Sequence, residues 1–447
     1  MKTPIIDFIK DYNKSGAERL HMPGHKGKGA LGVEGLDITE IFGADELYAS
    51  SGIIKESREY ASRLFGSGAT FYATEGSSQC VRAMLYLALA YSRAMGKEPL
   101  VLAARNAHKS FVSASALLGI EPIWLYGEAK EGLLSCNITE ESLDEALTRE
   151  GGRVSAVYLT SPDYLGNTLP IAQLSKIAKK HGALLLVDNA HGAYRAFLSE
   201  NSHPMANGAD MCCDSAHKTL PALTGAAYLH ISSAAPKMLA ERAEEALAIF
   251  GTTSPSYLIM ASLDGTNAYI ENGYRARLSA FAQRVLEMKA RLLAAGYELV
   301  GDECLKISIA TKGYGYLGEE LAEILRENRI FVEFFDRDFL VMMLSPDMEN
   351  EEIERLMSVL LSVKRREAIT EEPPCSPVGK RRMSPRDAML SPSEEIPVCE
   401  AEGRVLASVS VSCPPAVPIA VYGEEITEEA ILAFRYYGIE SCRVVTE

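Results

Sequence analysis

The chain has 447 residues, 47% hydrophobic and 23% charged, with a formal net charge of -15 at pH 7. This length accommodates two or three domains with a large core, and the composition is that of an ordinary globular protein. The acidic balance argues against nucleic-acid partners and is compatible with a small cationic substrate. The amino terminus, MKTPIIDFIKDYNKSG, has no apolar core with a small-residue cleavage signal, and no later apolar run is long enough to span a bilayer. A cytoplasmic protein without a membrane partner is therefore expected. Nine cysteines, scattered without a C-x-x-C pair, predict reduced and packed thiols rather than a disulfide framework or a cysteine zinc site.

Residues 1–50 form an N-terminal segment containing HMPGHKGKG and DITEIFGADEL. His21 and His25 have helical spacing for a metal pair, but the intervening Pro23 and Gly24 argue against a helix, so no metal is expected there. From 51 to 264, short β-rich runs (PLVLAA, EPIWLY, VSAVYLT, ALLLVD) alternate with helical patterns such as IAQLSKIAKKHG. That alternation predicts an α/β fold with a mostly parallel sheet covered by helices, and ligands beyond the carboxyl ends of the strands. Residues 265–370 open with one long helical pattern, NAYIENGYRARLSAFAQRVLEMKARLLAAG, and read as a smaller α/β domain. A proline- and charge-rich linker at 371–385 leads into a C-terminal domain at 386–447.

Three stretches carry chemistry. In FYATEGSSQCVRAMLYLALA, the backbone N–H groups of Gly76, Ser77 and Ser78 would converge at a helix N-terminus, where phosphate binds well. A plain capped helix would look the same. In GALLLVDNAHGA an apolar strand ends in Asp188, with His191 three residues on. Such an aspartate serves either as a turn cap or as the charge that keeps a heterocyclic nitrogen protonated. In DSAHKTLPALTG, Lys218 follows a buried-looking strand, where desolvation favours the neutral amine, a nucleophile toward carbonyls. A phosphate cradle, then Asp188, then Lys218 about thirty residues later are the parts that pyridoxal 5'-phosphate (PLP) requires.

RNAHKS, TSPDYLGN, VDNAHGA, SAHKTLPALTG and TSPSYLIMASLD resemble the Orn/Lys/Arg decarboxylase family, fold-type I PLP-dependent enzymes of aspartate aminotransferase-like architecture. HMPGHKGKG, DITEIFGADEL, MSPRDAML and CPPAVPIAVYGEEIT extend the resemblance over nearly the whole chain. It implies that Lys218 carries the cofactor aldehyde, Asp188 contacts the pyridine nitrogen and His108 stacks on the ring. Ser77, Ser78, Ser215 and His217 would lie at the phosphate or the reactive carbon, with Gly76, His191 and Thr253 in the same cofactor-binding set. The segment from Thr253 to Tyr257 would approach a neighbouring subunit, giving a homodimer or higher homo-oligomer. The implied reaction is decarboxylation of lysine, arginine or ornithine, with His217 or the released Lys218 returning a proton to the α-carbon. Asp45, Asp163 and Glu424 are the candidate carboxylates for the substrate's cationic tail.

Outside that family, His108 by itself would be an ordinary hydrogen-bonded histidine, and HMPGHKGKG a glycine-rich connection. Departures from the family pattern fall at Ala416 and Tyr422 in CPPAVPIAVYGEE and in ADELYASSG, and bear on substrate identity and turnover. Two rivals stay open. An aminotransferase or lyase of the same fold uses the same lysine and aspartate, but a transaminase also needs an arginine gripping the α-carboxylate. A noncatalytic PLP-binding paralogue would keep the site without turnover.

Overall fold

The computed structural model describes residues 2–127, 132–374, 376–409, 412–413 and 417–446. Strands β1 (Ala69–Ala73), β2 (Leu100–Ala104), β3 (Ile123–Leu125), β4 (Val154–Thr160), β5 (Leu184–Asp188), β6 (Met211–Asp214) and β7 (Ala227–Ile231) form a mostly parallel sheet in the order β1-β7-β6-β5-β4-β2-β3. Helices α1 (Pro4–Lys14), α2 (Ile53–Phe65), α3 (Gly76–Ala94), α4 (Lys109–Leu118), α5 (Glu140–Arg149), α6 (Ile171–Lys180) and α7 (Ala216–Thr219) precede or alternate with these strands. Helices α8 (Lys237–Glu241), α9 (Ala243–Phe250), α10 (Tyr257–Tyr269) and α11 (Arg275–Ala294) come next along the chain. The predicted α/β class is the one observed.

The chain divides into two compact units. The first comprises Met1–Val101, Asp144–Leu159 and Ile171–Ala276. β5 reads LLLVD and is buried along its length, as expected for a strand covered on both faces. α6 covers the sheet with Ile171, Leu174, Ser175 and Ala178, one stripe at i, i+3, i+4 and i+7, and keeps Lys179 and Lys180 in its last turn. Each fully buried leucine of this kind contributes about 1.5–3 kcal/mol. β5 and β6 are parallel, with Asp188 opposite Cys213. β7 runs antiparallel to both β6 and β1, so β1, β5 and β6 point the same way and their carboxyl ends share one edge.

The pattern read as a single long helix from 267 is broken in the structure. Asn272 leaves helical geometry and Gly273 takes φ +75°, separating α10 from α11. The Asn-Gly dipeptide is the physical reason, since both residues tolerate conformations that interrupt a helix.

The second unit comprises Leu102–Leu143, Thr160–Pro170 and Arg277–Glu447. Here β2 and β3 pair in parallel, Ala103 opposite Trp124. A second, antiparallel sheet contains β8 (Glu298–Val300), β9 (Lys306–Ala310), β10 (Phe334–Phe335) and β11 (Phe339–Met343) in the order β10-β11-β9-β8. Helices α12 (Gly318–Glu327) and α13 (Asn350–Ser362) belong to the same region, and α13 buries Ile353, Leu356, Met357 and Leu360 at helical spacing. Toward the carboxyl end, residues 393–397 pair antiparallel with 441–445, and Leu406, Ile419, Ile426, Phe434 and Val444 share one core with Phe339 and Val341. Tyr422 is buried, whereas Ala416 lies outside the described residues.

Among the described residues no helix is long and apolar enough to cross a membrane. The described cysteines are thiols, and Cys80, Cys136, Cys212, Cys213 and Cys442 are buried.

Candidate functional site

The carboxyl ends of β5 and β6 bring two of the predicted groups together. β6 runs through Asp214 into Ser215 and the short helix α7, which carries His217 and Lys218. Lys218 is half-buried, and its Nζ lies 3.0 Å from His191 Nε2, three residues beyond the end of β5. His217 Nδ1 lies 2.9 Å from the Ala226 carbonyl. A carbonyl only accepts, so Nδ1 carries the proton and Nε2 is the atom that would gain or lose one.

Asp188 is buried, and its surroundings are built from donors. Tyr158 Oη donates to Oδ2 at 2.9 Å, the Ala190 N–H donates to Oδ1 at 3.2 Å, and Cys213 Sγ is 3.5 Å from Oδ1. Burial pushes the Tyr158 phenol and the Cys213 thiol far up, with the Asp188 charge adding to the effect, so both keep their protons and remain donors. The Ala190 contact is the turn cap anticipated for this aspartate. It coexists with a carboxylate held at the ligand-facing edge of the sheet.

At the same edge, β1 passes through Thr74 and Glu75 into α3. Gly76 takes φ +71° and its N–H donates to the Gly225 carbonyl at 2.8 Å, while a Cβ there would meet nothing within 4 Å. No side chain caps the N-terminus of α3. Ser215 Oγ reaches Ser77 Oγ at 2.8 Å, and Ser78 is half-buried alongside. Thr74 Oγ1 and Thr219 Oγ1 are buried without a hydrogen-bond partner. An uncapped helix N-terminus with converging hydroxyls and open space fits a phosphate group, and the donor set matches the demands of PLP.

The remaining candidates occupy other settings. His108, in the second unit, is the N-cap of α4, its Nδ1 accepting from the Ser110 N–H at 3.1 Å. Thr253 is exposed on the loop before α10, while Tyr257 is buried and donates to the Asp45 carbonyl at 2.7 Å. Asp45 caps α2: its oxygens take the N–H groups of Ser51, Gly52, Ile54 and Lys55. Burial would raise its pKa, but these donors together hold it below the usual range. Asp163 accepts from the Asn167 N–H and Nδ2, each at 2.9 Å, and burial pushes its carboxyl up to about 6. Glu424 is buried, accepts from the Val421 N–H at 3.1 Å and lies 4.0 Å from Arg105; burial raises its pKa. His21 meets Tyr12 Oη at 2.6 Å and His25 meets Asp37 at 3.2 Å, so the two histidines have separate partners.

One cluster escaped the sequence reading. Asp214 is fully buried and accepts from Asn189 Nδ2 at 2.6 Å, His203 Nε2 at 2.9 Å and His230 Nε2 at 3.2 Å. Burial alone would raise its pKa, yet these donors hold it well below the usual carboxylate range. His203, Asp214 and His230 are close enough to hold a metal ion. However, His203 Nδ1 accepts from the Met205 N–H at 3.3 Å, which puts the imidazole proton on Nε2, facing Asp214. That tautomer makes a hydrogen-bonded core of the cluster. Tyr158 was also missed, although a tyrosine in a strand buried nearly along its length signals a need for a buried partner.

Comparison with known proteins places this architecture. Residues 3–303 match the family described as "Orn/Lys/Arg decarboxylase, major domain". The chain belongs to this family. An uncharacterized protein of Bacillus subtilis is 29% identical over 96% of this chain and 93% of its own length. An arginine decarboxylase from the same organism is 28% identical over 96% and 92%. The crystal structure of the Francisella novicida lysine decarboxylase superposes with a TM-score of 0.81 at 19% identity, covering 99% of this chain and 81% of that one. The fold is thus that of the lysine decarboxylases, a decarboxylase-family α/β architecture consistent with fold-type I.

Proposed function

We propose that this chain is a PLP-dependent decarboxylase of a basic amino acid, with lysine and arginine ahead of ornithine. The observation that carries the reading is the Lys218–His191 contact at 3.0 Å on the sheet edge that also presents Asp188 and the uncapped α3. Ser77, Ser78 and Ser215 would hold the phosphate, Asp188 the ring nitrogen and Lys218 the aldehyde carbon. When bound, PLP supplies a carbonyl for the amine and an electron sink for the pair left by departing carbon dioxide.

The chain's own groups do the rest. His191 Nε2 is placed to accept a proton from the Lys218 ammonium, releasing the nucleophilic amine. Asp188, fixed by Tyr158 and the Ala190 N–H, would keep a proton on the ring nitrogen. His217 Nε2 and Lys218 Nζ are the two candidates to return a proton to the α-carbon, a step that typically contributes about 10²–10⁴-fold. Thr253 and its exposed loop are the surface offered to a second copy of the chain.

The test is a substrate panel of lysine, arginine and ornithine, measuring carbon dioxide and identifying the product. Carbon dioxide with stoichiometric amine supports the reading. A keto acid without carbon dioxide would make the chain an aminotransferase, and PLP binding with no turnover of any of the three would make it noncatalytic.

A further inference from the structure

A cavity of about 330 Å³ lies within the second unit, bounded by the chain that links α12 to β10, the end of β11 and the first turns of α13. β10 and β11 pair with Phe334 opposite Val341 and Phe335 opposite Leu340, and the Glu333 N–H still reaches the Val341 carbonyl at 3.1 Å. Among the described residues no backbone hydrogen bond joins 330–332 to β11. The gap is walled by Ile330, Met342, Met343, Met348 and Leu356. Methionine side chains are flexible and polarizable, so such a wall adapts to an apolar guest. Phe331, which also lines the cavity, is 83% exposed, an aromatic ring left in water.

Four charged groups line the same cavity, and they are not equally occupied. Glu333 accepts from Tyr164 Oη at 2.8 Å, and Glu352 accepts from the Glu349 N–H at 2.8 Å as part of the cap of α13. Among the described residues no hydrogen bond or ion pair engages the Arg329 or Arg355 side chain, each an exposed guanidinium with five donors. Arg329 takes φ +59° just after α12, where its N–H and that of Ile330 close the helix on the Arg326 and Leu325 carbonyls, each at 2.9 Å. Glycine is the default at such a position, because a side chain there is strained. A guanidinium kept there against the backbone's preference, with a second one and an apolar wall around the same space, calls for an anionic head on an apolar tail. We propose that this cavity binds an apolar monocarboxylate, its carboxylate on Arg329 and Arg355 and its hydrocarbon on the methionine wall. The volume suits a small ligand of this kind. The site uses no residue of the decarboxylase reading and stands or falls apart from it.

The experiment titrates the full chain with octanoate, hexanoate, octylammonium, 1-octanol and acetate, with binding read by calorimetry and ligand-observed NMR. Octanoate should bind about tenfold or more tighter than octylammonium or octanol. Hexanoate should bind about tenfold more weakly than octanoate, having two fewer methylenes to bury, and acetate not measurably. Arg355→Gln should weaken octanoate several-fold. Arg329→Gly should weaken it about tenfold while leaving the thermal midpoint unchanged or higher, since glycine suits the left-handed backbone. If Arg329→Gly fails to fold by circular dichroism, Arg355→Gln carries the test.

Absence of octanoate binding, equal affinity for octanol or octylammonium, or an affinity unchanged by the arginine variants would overturn the proposal. Absence of octanoate binding together with self-association that Phe331→Ser abolishes would assign the patch to a second copy of the chain instead. Lys218→Ala should bind octanoate as the wild type does, so a failure of decarboxylation leaves this site standing.

Discussion

Two aspartates end neighbouring parallel strands, and their surroundings differ in kind. Asp214, at the end of β6, is fully buried and accepts from Asn189, His203 and His230, themselves all buried. Asp188, at the end of β5, is also buried, but the chain that leaves it supplies His191, whose ring meets the half-buried Lys218. A carboxylate enclosed by its own donors holds the edge of the sheet together. One that sits beside reactive groups is in a position to act on a ligand. Burial alone does not separate the two roles; the neighbours that each carboxylate meets do.

The widest gap should come from Lys218→Ala. Activity is expected to fall about 10³-fold or more, with folding stability changed by about 1 kcal/mol or less, as measured by steady-state kinetics and urea unfolding. Asp214→Asn should invert that pattern. Its new amide N–H would face donors, costing about 3 kcal/mol of stability, while the turnover of the folded fraction stays within a few-fold.

The same variant has a pH signature. The folded Asp214 carboxyl titrates below its unfolded value, so its stabilisation is present above about pH 4 and is lost as the pH falls further. Urea unfolding from pH 7 down to 3 should therefore show a flatter acid limb in Asp214→Asn than in the wild type.

Asp188→Asn keeps an oxygen for Tyr158 but removes the charge. A loss of about 10²-fold in kcat with a stability change near 1 kcal/mol is expected. Tyr158→Phe should be the mildest, about tenfold in kcat and about 1 kcal/mol in stability, because one donor to Asp188 is lost and the carboxylate stays. If Asp188→Asn and Asp214→Asn proved equally damaging to both quantities, the distinction between the strand ends would fail.

Much of this edge was legible from residues near each other in sequence. The apolar runs predicted β2 to β6, and Gly76 to Ser78, Asp188 and Lys218 each sit in a short motif whose local pattern already places them at a strand end or helix start. The contacts that escaped depend on distance along the chain. Tyr158 meets Asp188 from 30 residues away, and Asn189 meets Asp214 from 25. Asp45 was a candidate for a cationic tail, yet its oxygens are engaged by backbone six to ten residues later, a loop closure that composition does not reveal. The break at Asn272 and Gly273 was visible as a dipeptide but was outweighed by the helical periodicity around it.

The proposed role of Lys218 has a direct chemical test. Protein reconstituted with PLP should be reduced with borohydride, digested and sequenced by mass spectrometry. A cofactor-sized adduct on the peptide containing Lys218 is the predicted result, and an unmodified Lys218 peptide, or an adduct on a different lysine, would contradict it.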